Sequence, residues 1–232
     1  MNSVSDILKT PVLFTAFAAV SACQIDTHAE IFTSDVYAVL KTKEALETQL
    51  TLAFEAGSEN GCRKAEQQLK GPLEQAFGHA EYTGCVDVKF DKFAQFRVTA
   101  DLVGQTDEAK ASVPKPVHLA AIAQDNGFVR LEYIFNREEM IALAESVPEE
   151  LTQFLNDEPD IILSATLSND LSDNVTVSVV DVFADGKPYK SFTDFDLKRR
   201  GSVEIALSNV GNASFGNTEK TAVIGWIPAK AE

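Results

Sequence analysis

Apolar side chains at every second position recur in short stretches along this chain, and that spacing constrains its fold more than any other feature. Ile25, Thr27, Ala29 and Ile31 alternate with Asp26, His28 and Glu30, the pattern of a strand with one face buried and the other in water. The alternation returns over 46–54, 96–102, 129–135, 161–167, 175–179 and 203–207, in Val86, Val88 and Phe90, and around Trp226 over 222–227. It changes parity at Val179-Val180 before Val182 and Ala184, which reads as a β-bulge. Asp125-Asn126-Gly127 separates two such runs, and Asn-Gly favours a tight hairpin because both positions tolerate positive φ.

Helical signals are fewer. Thr33-Ser34-Asp35 ends the first strand and opens a short turn through Leu40. Residues 57–61 read as a turn, and a helix begins at about Cys62, with Ala65 and Leu69 on the same face. Gly71-Pro72 is expected to kink or restart it, and Gly78 to stop it. Asn136 with Glu139, and Ser146 with Glu149, are capping boxes for helices through Ala144 and over 147–155. The expected class is α+β, strand-rich, with a mainly antiparallel sheet or sheets and a few short helices. The polar stretch 105–116, with Pro114 and Pro116, reads as a loop able to divide a single domain, 23–232, into subdomains 24–104 and 117–232.

The beginning of the chain has another character. From Pro11 to Ala22 it is apolar and uncharged, preceded by Lys9 and closed by the small residues Ser21 and Ala22. That is the layout of a secretory signal, 1–22. A dozen residues make roughly 18 Å of helix, well short of a ~30 Å hydrocarbon core. Val20-Ser21-Ala22-Cys23 resembles the lipobox of bacterial lipoproteins, which implies acylation of Cys23 and cleavage before it. By the sorting behaviour of such lipoproteins, Gln24 in place of Asp then implies the outer membrane over the inner. An ordinary signal cut near Ala22, leaving a free thiol, stays open on the residues alone, since Asp6 offsets Lys9. No Gly/Ser/Pro tether follows Cys23, so an anchored domain would sit against the membrane surface.

Net charge is −15 over 232 residues. The leader contributes one Lys and one Asp, so the remainder carries the whole imbalance. A surface of that sign repels phosphate backbones and anionic headgroups, which argues against nucleic acid as a partner. Hydrophobic residues at 45% are ordinary for a packed core. Setting Cys23 aside, Cys62 and Cys85 are an even pair in a chain that reads as exported, and the expectation is a disulfide. Two buried free thiols are the alternative if the leader is not a signal.

No catalytic residue is assigned. His28, His79 and His118 are scattered, so no metal site is expected. The acidic segments 157–160 and 170–173 lack the spacing of a calcium loop and read as solvated turns. Ser112-Val113-Pro114-Lys115 matches Ser-x-x-Lys only formally, because the prolines make it extended. No cofactor is implied. Lys198-Arg199-Arg200 is the one basic cluster of the chain, either paired with neighbours such as Asp194 and Asp196 or a recognition patch.

Cys23-Gln24-Ile25-Asp26, then 30–35, the pair Cys62 and Cys85, and the distal 197–200 and 205–210 together resemble a family of uncharacterised bacterial and phage-encoded lipoproteins with a periplasmic domain. The resemblance spans nearly the whole chain after the leader and implies phage or prophage origin, but carries no activity. The function expected is that of a non-enzymatic envelope lipoprotein, held to the membrane through Cys23 and binding an envelope protein. If phage-encoded, it would modify the host envelope. A small-ligand binder or enzyme with a site built from distant residues, and a structural subunit of an envelope or virion assembly, are the other classes.

Overall fold

The computed structural model describes residues 24–106, 113–147, 160–208 and 221–230. The leader 1–22, Cys23 and, apart from Val147, the second capping-box helix expected over 147–155 lie outside them. The alternating stretch after Cys23 forms β1 (Gln24–Phe32), and Ile25, Thr27, Ala29 and Ile31 are the buried residues, as expected. It passes into α1 (Thr33–Thr42), and the chain returns antiparallel to β1 as β2 (Leu46–Glu55).

Next comes α2 (Glu59–Phe77), capped at its start by Ser58, whose hydroxyl accepts from the Gly61 N–H. Pro72 does not restart the helix: α2 is one continuous helix with the proline inside it. The buried stripe of Cys62, Ala65, Leu69, Leu73 and Phe77 runs straight past the proline. Burial on both sides of it offsets a cost of about 3 kcal/mol for interior proline. Gly78 closes the helix in the left-handed region at φ 80, where a Cβ is strained.

A hairpin follows, β3 (Ala80–Val88) with the long β4 (Asp91–Thr106). Phe90 is not part of the buried strand face. Val88 pairs with Asp91, so Lys89 and Phe90 form the turn; Lys89 has φ 57 and Phe90 is 100% exposed. Nor does the loop begin at 105, because Gln105 and Thr106 continue β4 and pair with Ile122 and Ala123 of β5 (Val117–Ala123). The Asn126-Gly127 turn then joins β5 to β6 (Phe128–Phe135) in the expected register, with Val129, Leu131, Tyr133 and Phe135 buried. Asn136 caps α3 (Arg137–Ser146) by accepting from the N–H groups of Glu138 and Glu139.

The remaining strands are β7 (Asp160–Ser168), β8 (Val175–Val179), β9 (Val182–Ala184), β10 (Lys187–Tyr189), β11 (Thr193–Leu197), β12 (Ser202–Leu207) and β13 (Thr221–Pro228). Their order in the sheet is β10-β9-β12-β7-β1-β2-β4-β5-β6-β13-β8-β11, with β3 beside β4. Among the described residues only β1–β7 and β4–β5 pair parallel. Strands from before and after 107–112 thus interleave in one sheet. The parity change at Val179-Val180 is not a bulge but the point where the chain leaves one end of the sheet for the other. β8 pairs with β11 and β13, and β9 with β10 and β12. Asp181, at φ 54, makes the switch.

That short hop brings the sheet's two ends together, so the sheet is nearly closed. The class is therefore strand-rich and mostly antiparallel, closer to mainly β than to the expected α+β. One core fills the enclosed face, joined by the apolar stripe of α2 and by Val36 and Val39 of α1. The backbone of α1 comes so close to β4 that a Cβ on Gly104 would lie 2.2 Å from the Val39 carbonyl oxygen, a separation no side chain tolerates. Tyr133 of β6 reaches across the interior to donate its hydroxyl to the Ser164 carbonyl of β7. Burial pushes that phenol far above its usual range.

A smaller core lies on the outer face, where Val103, Ala120 and Ile122 pack with Val113. It makes β5 a strand buried on both faces.

Candidate functional site

Cys62 and Cys85 form the expected disulfide, with Cα atoms 5.7 Å apart. It ties the first turn of α2 to β3. The three histidines do not converge. His28 lies between Ser164 Oγ at 2.9 Å and Thr166 Oγ1 at 3.1 Å, and His79 is exposed. His118 is 3% exposed on the outer face of β5 with neither ring nitrogen hydrogen-bonded. Burial, partly opposed by Asp101, lowers its pKa to about 4. Lys115 is committed to Asp101 at 2.8 Å and to the Thr99 carbonyl at 3.2 Å, whereas Ser112 lies outside the described residues. Among the described residues no group of His, Cys, Asp and Glu is arranged to hold a metal, and no helix is long and apolar enough to cross a membrane.

The residues that build a recognisable face gather where β1 and β7 end. Phe32 gives α1 no side-chain cap. Asp170, from the loop after β7, supplies it instead, accepting from the Ser34 N–H at 2.9 Å, the Thr33 hydroxyl at 3.0 Å and the Ser34 hydroxyl. Burial alone would raise the Asp170 pKa, but the hydrogen bonds from Ser34 and Thr33 outweigh it and hold the carboxyl below its usual value. The acidic segment 170–173 is therefore not merely a solvated turn: its first carboxylate completes a helix N-terminus.

Asn169, 1% exposed, holds the loop together. Its amide donates to the carbonyls of Asp173 at 2.8 Å and Leu197 at 2.9 Å, and its Oδ1 accepts from the Leu171 N–H at 3.1 Å. Its backbone accepts from the Arg200 N–H and donates to the Gly201 carbonyl, each at 2.8 Å. These bonds set the turn that carries the basic cluster between β11 and β12.

Lys198, Arg199 and Arg200 are all exposed, and Arg200 takes φ 58. They do not pair with Asp194 or Asp196. Those carboxylates lie on the outer face of β11 and accept from Ser178 Oγ at 2.6 Å and Thr176 Oγ1 at 3.4 Å. Among the described residues the three cations make no ion pair. Asn174 accepts from the Arg199 N–H at 3.2 Å and also lines a cleft of about 250 Å³ with Tyr37, Leu171, Asp173 and Lys230. Tyr37 donates to the Pro228 carbonyl at 2.9 Å, and the Lys230 ammonium stands 5.8 Å from its ring centre.

Sequence reasoning found the basic cluster but not the cleft, whose walls come from α1, the loop after β7 and the end of β13. Asp170, 137 residues from Thr33 in sequence, carried no local sign of its capping role. Phe90 carried a misleading one, since its alternation with Val86 and Val88 imitates a buried face.

Fold and cleft together define a nearly closed, mostly antiparallel sheet protein with a basic turn beside a polar cleft at one end. The chain belongs to the family DUF7424, a domain of unknown function, which matches residues 26–231. No curated protein and no solved structure matches it significantly.

Proposed function

We propose that this chain is a non-enzymatic envelope lipoprotein, acylated at Cys23 and sorted to the outer membrane. In this reading it binds another envelope protein through the face formed by Lys198, Arg199, Arg200 and the adjoining cleft. The observation that carries it is the direction of β1. The strand starts at Gln24, next to Cys23, and its nine residues run to Phe32, about 26 Å away at 3.3 Å per residue. The basic turn and the cleft lie at the Phe32 end, beside Thr33 and Asn169. An anchor at Cys23 therefore turns that face away from the bilayer, toward whatever the periplasm presents.

A cleft of about 250 Å³ is below the ~300–1,000 Å³ of most small-molecule sites. It suits one or two side chains of a partner better than a free metabolite. Three cations without an ion pair among the described residues, on a chain of net charge −15, favour an acidic segment of that partner. If the chain is phage-encoded, a host receptor is the natural target, and its expression should then change adsorption by related phages.

Two measurements test this reading. Cys23→Ala should move the folded protein from membranes to the soluble fraction, and retention after salt and carbonate washing would overturn the anchor. A partner captured from envelopes by the wild type should be lost with Lys198→Ser/Arg199→Ser/Arg200→Ser. Equal capture by both would overturn the face.

A further inference from the structure

We propose that the Lys89-Phe90 hairpin tip is a second membrane contact, seating the domain on the bilayer that holds Cys23. The inference rests on the anchor proposed above. Gln24 donates its N–H to Glu55 Oε2 at 3.2 Å, and Glu55 stands opposite Phe93 in the next strand. From Phe93 the hairpin continues past this level to Phe90, about 10 Å farther at 3.3 Å per residue. Cys23 adjoins Gln24 in sequence, and one residue spans no more than about 3.6 Å. With the acyl chains entering the membrane at Cys23, the hairpin tip is, among the described residues of β1 to β4, the part that projects farthest past Gln24.

The chemistry of the tip suits an interface. Phe90 is 100% exposed, the most exposed large hydrophobic residue among those described. Lys89 beside it has a left-handed backbone and forms no ion pair among the described residues. The other cations of the hairpin are occupied: Lys92 by Glu59 and Asp87, and Arg97 by Glu81, each at 2.9 Å. An aromatic ring with a free ammonium is the pairing that settles at the headgroup boundary, ring inward and charge outward. The hairpin is braced for that role, because Lys92 ties it to α2 and the Cys62–Cys85 disulfide ties β3 to the same helix. One ring would hold a free protein weakly, but beside a lipid anchor it acts at high effective concentration and fixes orientation.

The test uses the full-length lipidated chain in vesicles of phosphatidylethanolamine and phosphatidylglycerol. Phe90→Trp is introduced in a Trp226→Phe background, which removes the one native tryptophan. We expect a blue-shifted emission that is quenched by lipids brominated near the headgroup. An emission unchanged from the vesicle-free protein, without lipid quenching, overturns the proposal. Cys23→Ala in the same assay separates the two claims. If the chain floats with vesicles only when Cys23 is present yet Phe90→Trp stays unquenched, the anchor stands and the hairpin contact falls. If the Cys23-containing chain does not float either, both fall.

Discussion

The two ends of the sheet are built on opposite principles. At the Gln24 end the chain is held by a covalent link, the Cys62–Cys85 bridge between α2 and β3, and by exposed ion pairs around Lys92. At the Phe32 end it is held by hydrogen bonds that converge on buried Asn169 and on the exposed carboxylate of Asp170. The first arrangement tolerates a fully exposed Phe90, because neither the bridge nor the ion pairs need its side chain. The second arrangement tolerates three cations that make no ion pair among the described residues, for the same reason: Lys198, Arg199 and Arg200 are positioned by backbone bonds and their side chains stay exposed. Each end thus separates what holds it from what it displays.

Removing Asn169 should break this picture most strongly. Asn169→Leu strands the carbonyls of Asp173 and Leu197 in a buried site, and we expect a loss of about 4 kcal/mol in urea unfolding. Cys62→Ala/Cys85→Ala should cost about 3 kcal/mol, since the bridge closes a long loop in the unfolded chain. If the ends are independent, adding Asp170→Asn to the cysteine double variant should give the sum of the separate losses within about 0.5 kcal/mol. A larger departure would show that the ends communicate through the core.

His118, buried on the outer face of β5, supplies a pH test. Its folded pKa of about 4 lies below the unfolded 6.5, so between these values only the unfolded chain takes up the proton. Stability is full above pH 6.5, falls as pH drops toward 4, and loses at most about 3 kcal/mol from this group. His118→Leu should flatten that part of the profile relative to wild type.

Asp170→Asn should cost about 1 kcal/mol at neutral pH. Because the folded pKa of Asp170 is depressed, its stabilisation is present above the unfolded value and disappears as pH falls through the folded one, so variant and wild type converge in acid. The smallest effect belongs to Lys198→Ser/Arg199→Ser/Arg200→Ser, expected within about 0.5 kcal/mol of wild type because the side chains are exposed and make no ion pair among the described residues.

Much of the fold was legible where the signal is local. The hairpin of β5 and β6 followed from Asn126-Gly127, the end of α2 from Gly78, and the start of α3 from Asn136. The disulfide was legible because two cysteines remained once Cys23 was set aside. Phe90 was misread because alternation records side-chain parity, not the place where a strand reverses, and Lys89 adopts its left-handed turn without a glycine or asparagine. The change at Val179-Val180 was seen but misinterpreted, since a bulge and a strand exchange leave the same trace. The basic cluster was legible as a cluster; its lack of ion pairs depended on Asp194 and Asp196 being claimed by β8.

The sequence by itself determined most of the strands, the buried faces of β1 and β6, and which cysteines would pair. These follow from periodicities of a few residues and from the chemistry of single side chains. Only the tertiary structure decided that β8 and β9, two residues apart, would sit at opposite ends of the sheet path, and that Asp170 would cap α1. It likewise decided that Lys198, Arg199 and Arg200 would stand at the end of β1 away from Cys23. Such pairings depend on closing long loops around one core, and the balance of loop entropy against burial is a property of the whole chain.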